Sequence, residues 1–231
     1  MPNLHYGYQT SHESYTLSQR HVSSNLATVI RELIELEEDD RVLDLGCGDG
    51  ILERNMAQNR SFSFDSIDID SYAVSKLQPF MKPGDTAYTA DITKLSHLYS
   101  PFKYSAVVSW RVLHGIHPEY YHDIFKQVYT LLQPHAVFYV AVACSEDWKM
   151  HALDQVDIKG MNDCKEIMFT RYGIPRSEPF NVHFFNQSEL VDLGHRNGFI
   201  CEYTNVFTEP SGYNHLKNKE NSYLFAKFIR Q

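Results

Sequence analysis

The segment that most constrains this chain is Arg41–Leu45, a short apolar run closed by glycines at alternate positions, Gly46, Gly48 and Gly50, with a helical pattern starting at Ile51. Glycines directly after a strand let the backbone take positive φ and come close to a ligand. In sheets of alternating strands and helices, ligands bind at the carboxyl ends of the strands. The rest of the chain supplies that alternation. Val22, Leu26, Val29, Ile30, Leu33 and Ile34 recur at steps of three and four, which predicts a helix over 22–36. Beyond the glycines the pattern predicts a helix over 51–58, a strand over 62–69, a helix over 71–81, a strand over 86–90, a short helical piece near 94–98 and a strand over 104–110. Pro118 opens a helix that buries Tyr121, Ile124, Phe125, Val128, Leu131 and Leu132 and stops near Pro134. Residues 136–143 form a continuous apolar run, as expected of a strand covered on both faces.

After Cys144 the pattern lapses for about 40 residues, longer than the usual connection in a compact domain. It returns with a helix over 187–197, ended by Gly198, and strands over 199–207 and 223–229. The expected fold is α/β, a Rossmann-like, doubly wound, mostly parallel sheet of seven strands. The last strand should be antiparallel, because no crossover helix precedes it. The expected organisation is an N-terminal lid and helix over 1–40, then one domain over 41–231 with an insertion over 145–186.

A chain of 231 residues suits one such core. No run approaches the roughly 20 apolar residues of a membrane span, and Met1–Tyr15 lacks the basic and apolar regions of a secretory leader. Cytoplasmic residence with no membrane partner is the expectation. Cys47, Cys144, Cys164 and Cys201 are scattered, without CxxC pairs or metal-ligand spacing, so reduced thiols and no metal are expected. A net charge of −8 argues against affinity based on neutralising phosphates, and the longest basic hint, Lys217 and Lys219, sits among Asn and Glu. Nucleic acid is not an expected partner, and nothing in the sequence sets the oligomeric state.

The glycine spacing is GxGxG. A dinucleotide site would read GxGxxG, but Ile51 stands where its third glycine would fall. With Val42–Gly50 reading VLDLGCGDG, the chain from Arg41 to Phe228 resembles the class I S-adenosylmethionine-dependent methyltransferases. The resemblance implies that Gly46, Cys47 and Gly48 wrap the methionine part of S-adenosyl-L-methionine, with Asp44 supporting its ammonium group. It implies a carboxylate at the end of the second strand for the ribose hydroxyls. Asp68, followed by Ile69, fits that role and lies near the spacing of about 20 residues used for ribose recognition elsewhere; Asp70 is the fallback. Asp91 and Ile92 match the adenine-binding positions, and Ser109 and Trp110 would border the methionine end and face the acceptor. S-adenosyl-L-homocysteine would be the product. Where many relatives read LeuLysProGlyGly before the fifth strand, this chain reads LeuLeuGlnProHisAla, a departure that bears on that turn.

The acceptor side carries weaker signals. His114, after the fourth strand, is the candidate base or orienting group, and packing is its bland alternative. Cys47 reads as a buried small residue, since no thiolate-stabilising group stands beside it. Tyr6, Tyr8, Arg111 and His183 are the candidate acceptor-binding residues, with Arg171 a second cation that could meet an acidic group. The place where nucleobase methyltransferases carry Asn/Asp-Pro-Pro-aromatic reads SerTrpArgVal. Glu146 and Asp147 lack the later AspAsn pair of the metal-dependent catechol type. A small-molecule acceptor methylated on oxygen or nitrogen is the leading expectation. Two alternatives stay open: a non-methyl reaction on the same fold, such as cyclisation or rearrangement in natural-product assembly, and a non-catalytic cofactor-binding subunit.

Overall fold

The computed structural model describes residues 22–97, 103–150, 157–158, 161–164, 181–210 and 220–231. Its helices are α1 (Ser24–Ile34), α2 (Ile51–Met56), α3 (Ser71–Ser75), α4 (Tyr121–Leu131) and α5 (Gln187–Arg196). The strands are β1 (Arg41–Leu45), β2 (Ser63–Asp68), β3 (Thr86–Thr89), β4 (Tyr104–Trp110), β5 (Leu132–Ala143), β6 (Asp157–Ile158), β7 (Met161–Asp163), β8 (Asn181–Val182), β9 (Phe199–Pro210) and β10 (Glu220–Arg230). Short 3₁₀ turns stand at Ile92–His97, Leu113–Gly115 and Pro118–Tyr120.

Seven strands form one sheet in the order β3-β2-β1-β4-β5-β10-β9. β1 pairs parallel with β2 and β4, while β10 runs antiparallel to both β5 and β9. From β1 the chain first moves outward through β2 and β3, then returns to the other side of β1 with β4. The carboxyl ends of β1 and β4 therefore flank the switch point at which open α/β sheets leave a crevice for ligands.

Period-two alternation sends successive side chains of each strand to opposite faces. Leu43, Leu45, Val107, Phe138 and Phe228 join Phe125 of α4 and Leu190 of α5 in one core. Val42, Val108 and Phe225 join Leu26 and Val29 of α1 and Leu52 of α2 in the other. Asp44 and Trp110 belong by register to this second face. α1 starts after Ser23, whose side chain caps the Leu26 amide.

Three details depart from the expected bounds. The helix expected over 71–81 is a five-residue α3 followed by a 3₁₀ turn at Gln78–Phe80. β5 begins at Leu132 rather than 136: Tyr104 pairs with Leu132, then Ala106 pairs with Val137, so the strand is irregular where Pro134 lacks an amide donor. His135 takes φ 66 there, a left-handed conformation uncommon for a residue with a side chain. Finally, β6, β7 and β8 form a small antiparallel sheet between Cys144 and Phe185. Strands this short have no readable period. Cys144 and Phe185 pair with each other, so this segment leaves and rejoins the main sheet at one place. Among the described residues, no helix is long and apolar enough to cross a membrane.

Near the amino ends of the strands, buried Asp65 accepts hydrogen bonds from Arg41, Thr86, Lys103 (2.6 Å) and Tyr104 (2.7 Å), joining the first four strands. Arg60 and Asp85 form a second, fully buried ion pair.

Candidate active site

The loop after β1 is held from both sides. The amides of Gly46 and Cys47 both donate to the Ile67 carbonyl, at 2.7 and 2.9 Å. Gly46 has φ 75, and a Cβ there would lie 2.3 Å from Val112 Cγ2, so both backbone conformation and space require glycine. Gly50, at φ 80, is the N-cap of α2 and would meet Leu77 at 2.1 Å. The Gly48 amide donates to Asp68 Oδ2 at 2.8 Å, and Asp68 Oδ1 accepts from the Asp70 amide at 2.9 Å. Asp70 is used differently: its carboxylate accepts from the Tyr72 amide and caps α3. The two candidates for the ribose carboxylate thus separate, with Asp68 turned to the glycine loop and Asp70 to its own helix.

Three carboxyl groups surround this loop. Asp44 is 2% exposed and Glu53, on α2, is fully buried. Among the described residues no hydrogen bond or ion pair reaches the Asp44 carboxylate. Burial, reinforced by the negative charges of Glu53 and Asp68, holds its proton affinity well above the usual carboxylate range. Burial likewise pushes Glu53 up to about 7, against the hydrogen bond it receives from Ser66. The nearest cations are engaged elsewhere: Arg54 bonds the Gly50 carbonyl and lies 3.7 Å from Asp49, and Arg60 is bound to Asp85. Two buried acids, Asp44 and Glu53, with no ion pair to a cation among the described residues, fit a cationic ligand group. Cys47 is buried, and burial with the same three carboxylates raises its thiol well above its usual range, so it forms wall and not nucleophile.

Asp91 follows β3, and the Ala90 amide beside it donates to the Asp68 carbonyl at 2.9 Å. Its Oδ1 accepts from the amide and hydroxyl of Thr93 and so starts the next 3₁₀ turn. Ile92 is buried, whereas Ile69 is 38% exposed, an uncovered apolar side chain next to Asp68. Asp44, the glycine loop, Asp68 and Asp91 therefore stand in order at the carboxyl ends of β1, β2 and β3.

On the other side of β1, Ser109 is fully buried at the end of β4, and its hydroxyl has no partner among the described residues. Trp110 points the other way. Its ring stacks on Phe207 at 5.6 Å and lies 5.9 Å from Phe225, within the core under α1. Arg111 has φ 64 and donates to Glu209 Oε2 at 2.7 Å, so its charge is matched inside the chain. His114 is buried, and its Nδ1 lacks a partner among the described residues. Burial, then the positive charges of Arg111, Lys149 and His183, depress it to about 3, which keeps the ring neutral at physiological pH. The His114 carbonyl accepts from the His183 amide at 2.8 Å, and the His183 ring pairs with Glu189 at 2.7 Å. His183 also faces Tyr121 across 5.6 Å, and the Tyr121 hydroxyl is buried without a partner among the described residues. Lys149 binds Asp147 at 2.9 Å and Asn221 at 2.7 Å. Tyr6, Tyr8, Arg171, Lys217 and Lys219 lie outside the described residues.

Glu53, Tyr121 and Glu209 are the polar residues here that sequence patterns did not single out. Glu53 had a signal: a carboxylate between Leu52 and Met56 falls on the inner side of a helix one turn after the last glycine. Glu209 had none, because its meeting with Arg111 depends on β9 folding back against the sheet.

An open α/β sheet of this strand order, with a glycine loop and ordered acids at the switch point, defines a nucleoside-type ligand site of the methyltransferase kind. Residues 18–203 match the family described as Methyltransferase domain. The chain belongs to that family, and it is an S-adenosylmethionine-dependent methyltransferase enzyme. Similar solved structures include a SAM-dependent methyltransferase of Methanosarcina mazei, with 21% identity and TM-score 0.68, covering 87% of this chain and 96% of that one. A second is an S-adenosylmethionine-dependent methyltransferase of Mesorhizobium loti, with 17% identity and TM-score 0.62, covering 90% and 98%. A third is phosphoethanolamine N-methyltransferase 2 of Haemonchus contortus, crystallised with phosphomonomethylethanolamine and S-adenosylhomocysteine. It has 12% identity and TM-score 0.62, and the match covers 90% of this chain and 53% of that one. A search of the curated proteins returned no match.

Proposed function

We propose that this methyltransferase holds S-adenosylmethionine across Gly46–Gly48 and passes its methyl group to a small-molecule acceptor between β4, α4 and the segment that follows β5. The observation that carries the reading is Asp44, buried at the end of β1 with no cation of the described residues paired with it. The donor's ammonium supplies that missing charge. Asp68 is the acceptor for the ribose hydroxyls, Ile69 and Ile92 flank the adenine, and Asp91 takes its amino group.

The bound donor supplies an electrophilic methyl carbon, and the protein's task is to place an acceptor atom in line with it. Positioning of this kind accounts for several kcal/mol of barrier lowering, on the order of 7 in favourable cases. His114 serves as a neutral hydrogen-bonding group that orients the acceptor. Its depressed proton affinity makes it a weak base, so the acceptor is one that needs little deprotonation, or one whose proton leaves by another route. Arg111, Lys149 and His183 are matched by Glu209, Asp147 and Glu189 within the chain, which favours an acceptor of little net charge.

Titration calorimetry with S-adenosylmethionine and S-adenosylhomocysteine tests the donor half: both should bind at micromolar concentration. Absence of binding at millimolar ligand would overturn it. For the acceptor half, a panel of small phenols, amines and carboxylic acids is scored by S-adenosylhomocysteine release. Turnover of a protein or nucleic acid in place of any of them would sink the small-molecule assignment.

A further inference from the structure

Glu53 has no role in the donor site as described, yet it is built into it. It stands one turn after Gly50, fully buried, with Oε1 accepting from the Ser66 hydroxyl and Oε2 unpartnered among the described residues. Oε2 lies 3.2 Å from where a Cβ on Gly50 would stand, so the carboxyl group borders the glycine loop. The charged and titratable groups facing it come from every neighbouring element. Asp44 comes from β1 and Cys47 from the loop, and Asp68, at the end of β2, acts on both of these; Arg60 and Asp85 face it as a closed ion pair. Arg54, on the same helix, is directed to the Gly50 carbonyl and Asp49. No cation among the described residues forms an ion pair with either of the two buried acids. Two carboxyls enclosed together do not both ionise readily, and they titrate as a pair.

We propose that Asp44 and Glu53 share one proton in the ligand-free protein, and that entry of the donor's ammonium beside Asp44 expels it to solvent. One positive charge enters the buried site as one leaves, so its net charge is unchanged. Glu53 is then a positioning residue: it acts through Asp44 by setting when that carboxylate is ionised. This rests on the donor reading above. Its consequence is a proton-linked affinity, nearly flat above pH 7 and weakening by up to about tenfold per unit below it.

The test is calorimetry of the full chain with S-adenosylhomocysteine, which keeps the ammonium and lacks the sulfonium charge. It is run near pH 6, 7 and 8, each in two buffers of different ionisation enthalpy. Release of roughly one proton per ligand near pH 6 is expected, with less near pH 8. Glu53→Gln should move the pH dependence to lower pH by removing a like charge. Ser66→Ala should move it to higher pH by removing a hydrogen bond to the ionised form. Binding without proton release near pH 6, or wild-type profiles in both variants, overturns the inference and leaves the donor reading intact. No binding at any pH overturns the donor reading and takes this inference with it.

Discussion

The Gly48 amide and the Asp68 carboxylate are joined at 2.8 Å, so the glycine loop after β1 is fastened directly to the acid at the end of β2. A ligand that touches one side of this link depends on the other. Asp68→Ala should weaken S-adenosylhomocysteine binding at least tenfold, since hydrogen bonds to a charged group contribute about 1.5–3 kcal/mol. Asp70→Ala should leave that affinity within twofold while lowering stability by about 1 kcal/mol, the usual cost of losing a helix cap. Calorimetry and urea unfolding of the two variants separate the roles. Equal loss of affinity in both would place Asp70 in the donor site.

The same link shows what was legible beforehand and what was not. β1 and β4 have the bounds that their apolar runs predict, because a strand covered on both faces shows its length directly in the sequence. The antiparallel last strand followed from the missing crossover helix. Asp68 was readable at the end of a strand and preferred to Asp70 by its position and spacing; what the sequence did not carry is that Asp70 is bent back to cap α3. Ser109 and Trp110 were read together as one wall, yet neighbours on a strand face opposite sides, and the Trp110 ring is committed to Phe207. The β6–β8 sheet escaped notice because two or three residues define no period. Glu53 had a positional signal one turn after Gly50, but its partner, the Ser66 hydroxyl on β2, is supplied only by the fold.

Arg111 joins the β4 end to β9 through Glu209, whose side chain is 5% exposed. Removing one partner of an enclosed pair strands the other charge, so Arg111→Ala should cost on the order of 3 kcal/mol in urea unfolding. Arg111→Gly should be less damaging than Ala by about 1 kcal/mol, because φ 64 suits glycine while both variants lose the ion pair. The double variant Arg111→Met, Glu209→Met should recover much of the loss. Additive single effects would mean that the pair is not coupled.

Asp65 sets a floor on acid stability. Burial works against its ionisation, but hydrogen bonds from Arg41, Lys103, Thr86 and Tyr104 outweigh it and hold the group at about 2. A folded-state value below the unfolded one gives stability that is complete above about pH 4 and lost as pH falls towards 2, about 2 kcal/mol in all. Asp65→Asn should therefore be markedly less stable than wild type at neutral pH, with the gap narrowing below pH 4. A constant gap in denaturant midpoints across that range would show that the network contributes through packing and not through charge.

Glu53 predicts the opposite sign in the ligand-free protein. Its carboxyl is raised to about 7, with burial as the main cause, so between pH 4.5 and 7 the unfolded chain ionises this group while the folded chain does not. Stability from this group is present below pH 4.5 and falls until the folded carboxyl also ionises near pH 7, after which it is level. The full effect is about 3 kcal/mol. Glu53→Gln carries no such penalty. It should match or trail wild type near pH 4.5 and exceed it near pH 8, with the crossover visible in thermal midpoints measured in parallel. S-adenosylhomocysteine should reduce the difference near pH 8 by favouring the ionised pair in the wild type. A variant less stable than wild type at every pH would mean that the Ser66 hydrogen bond, and not the buried charge, governs this position.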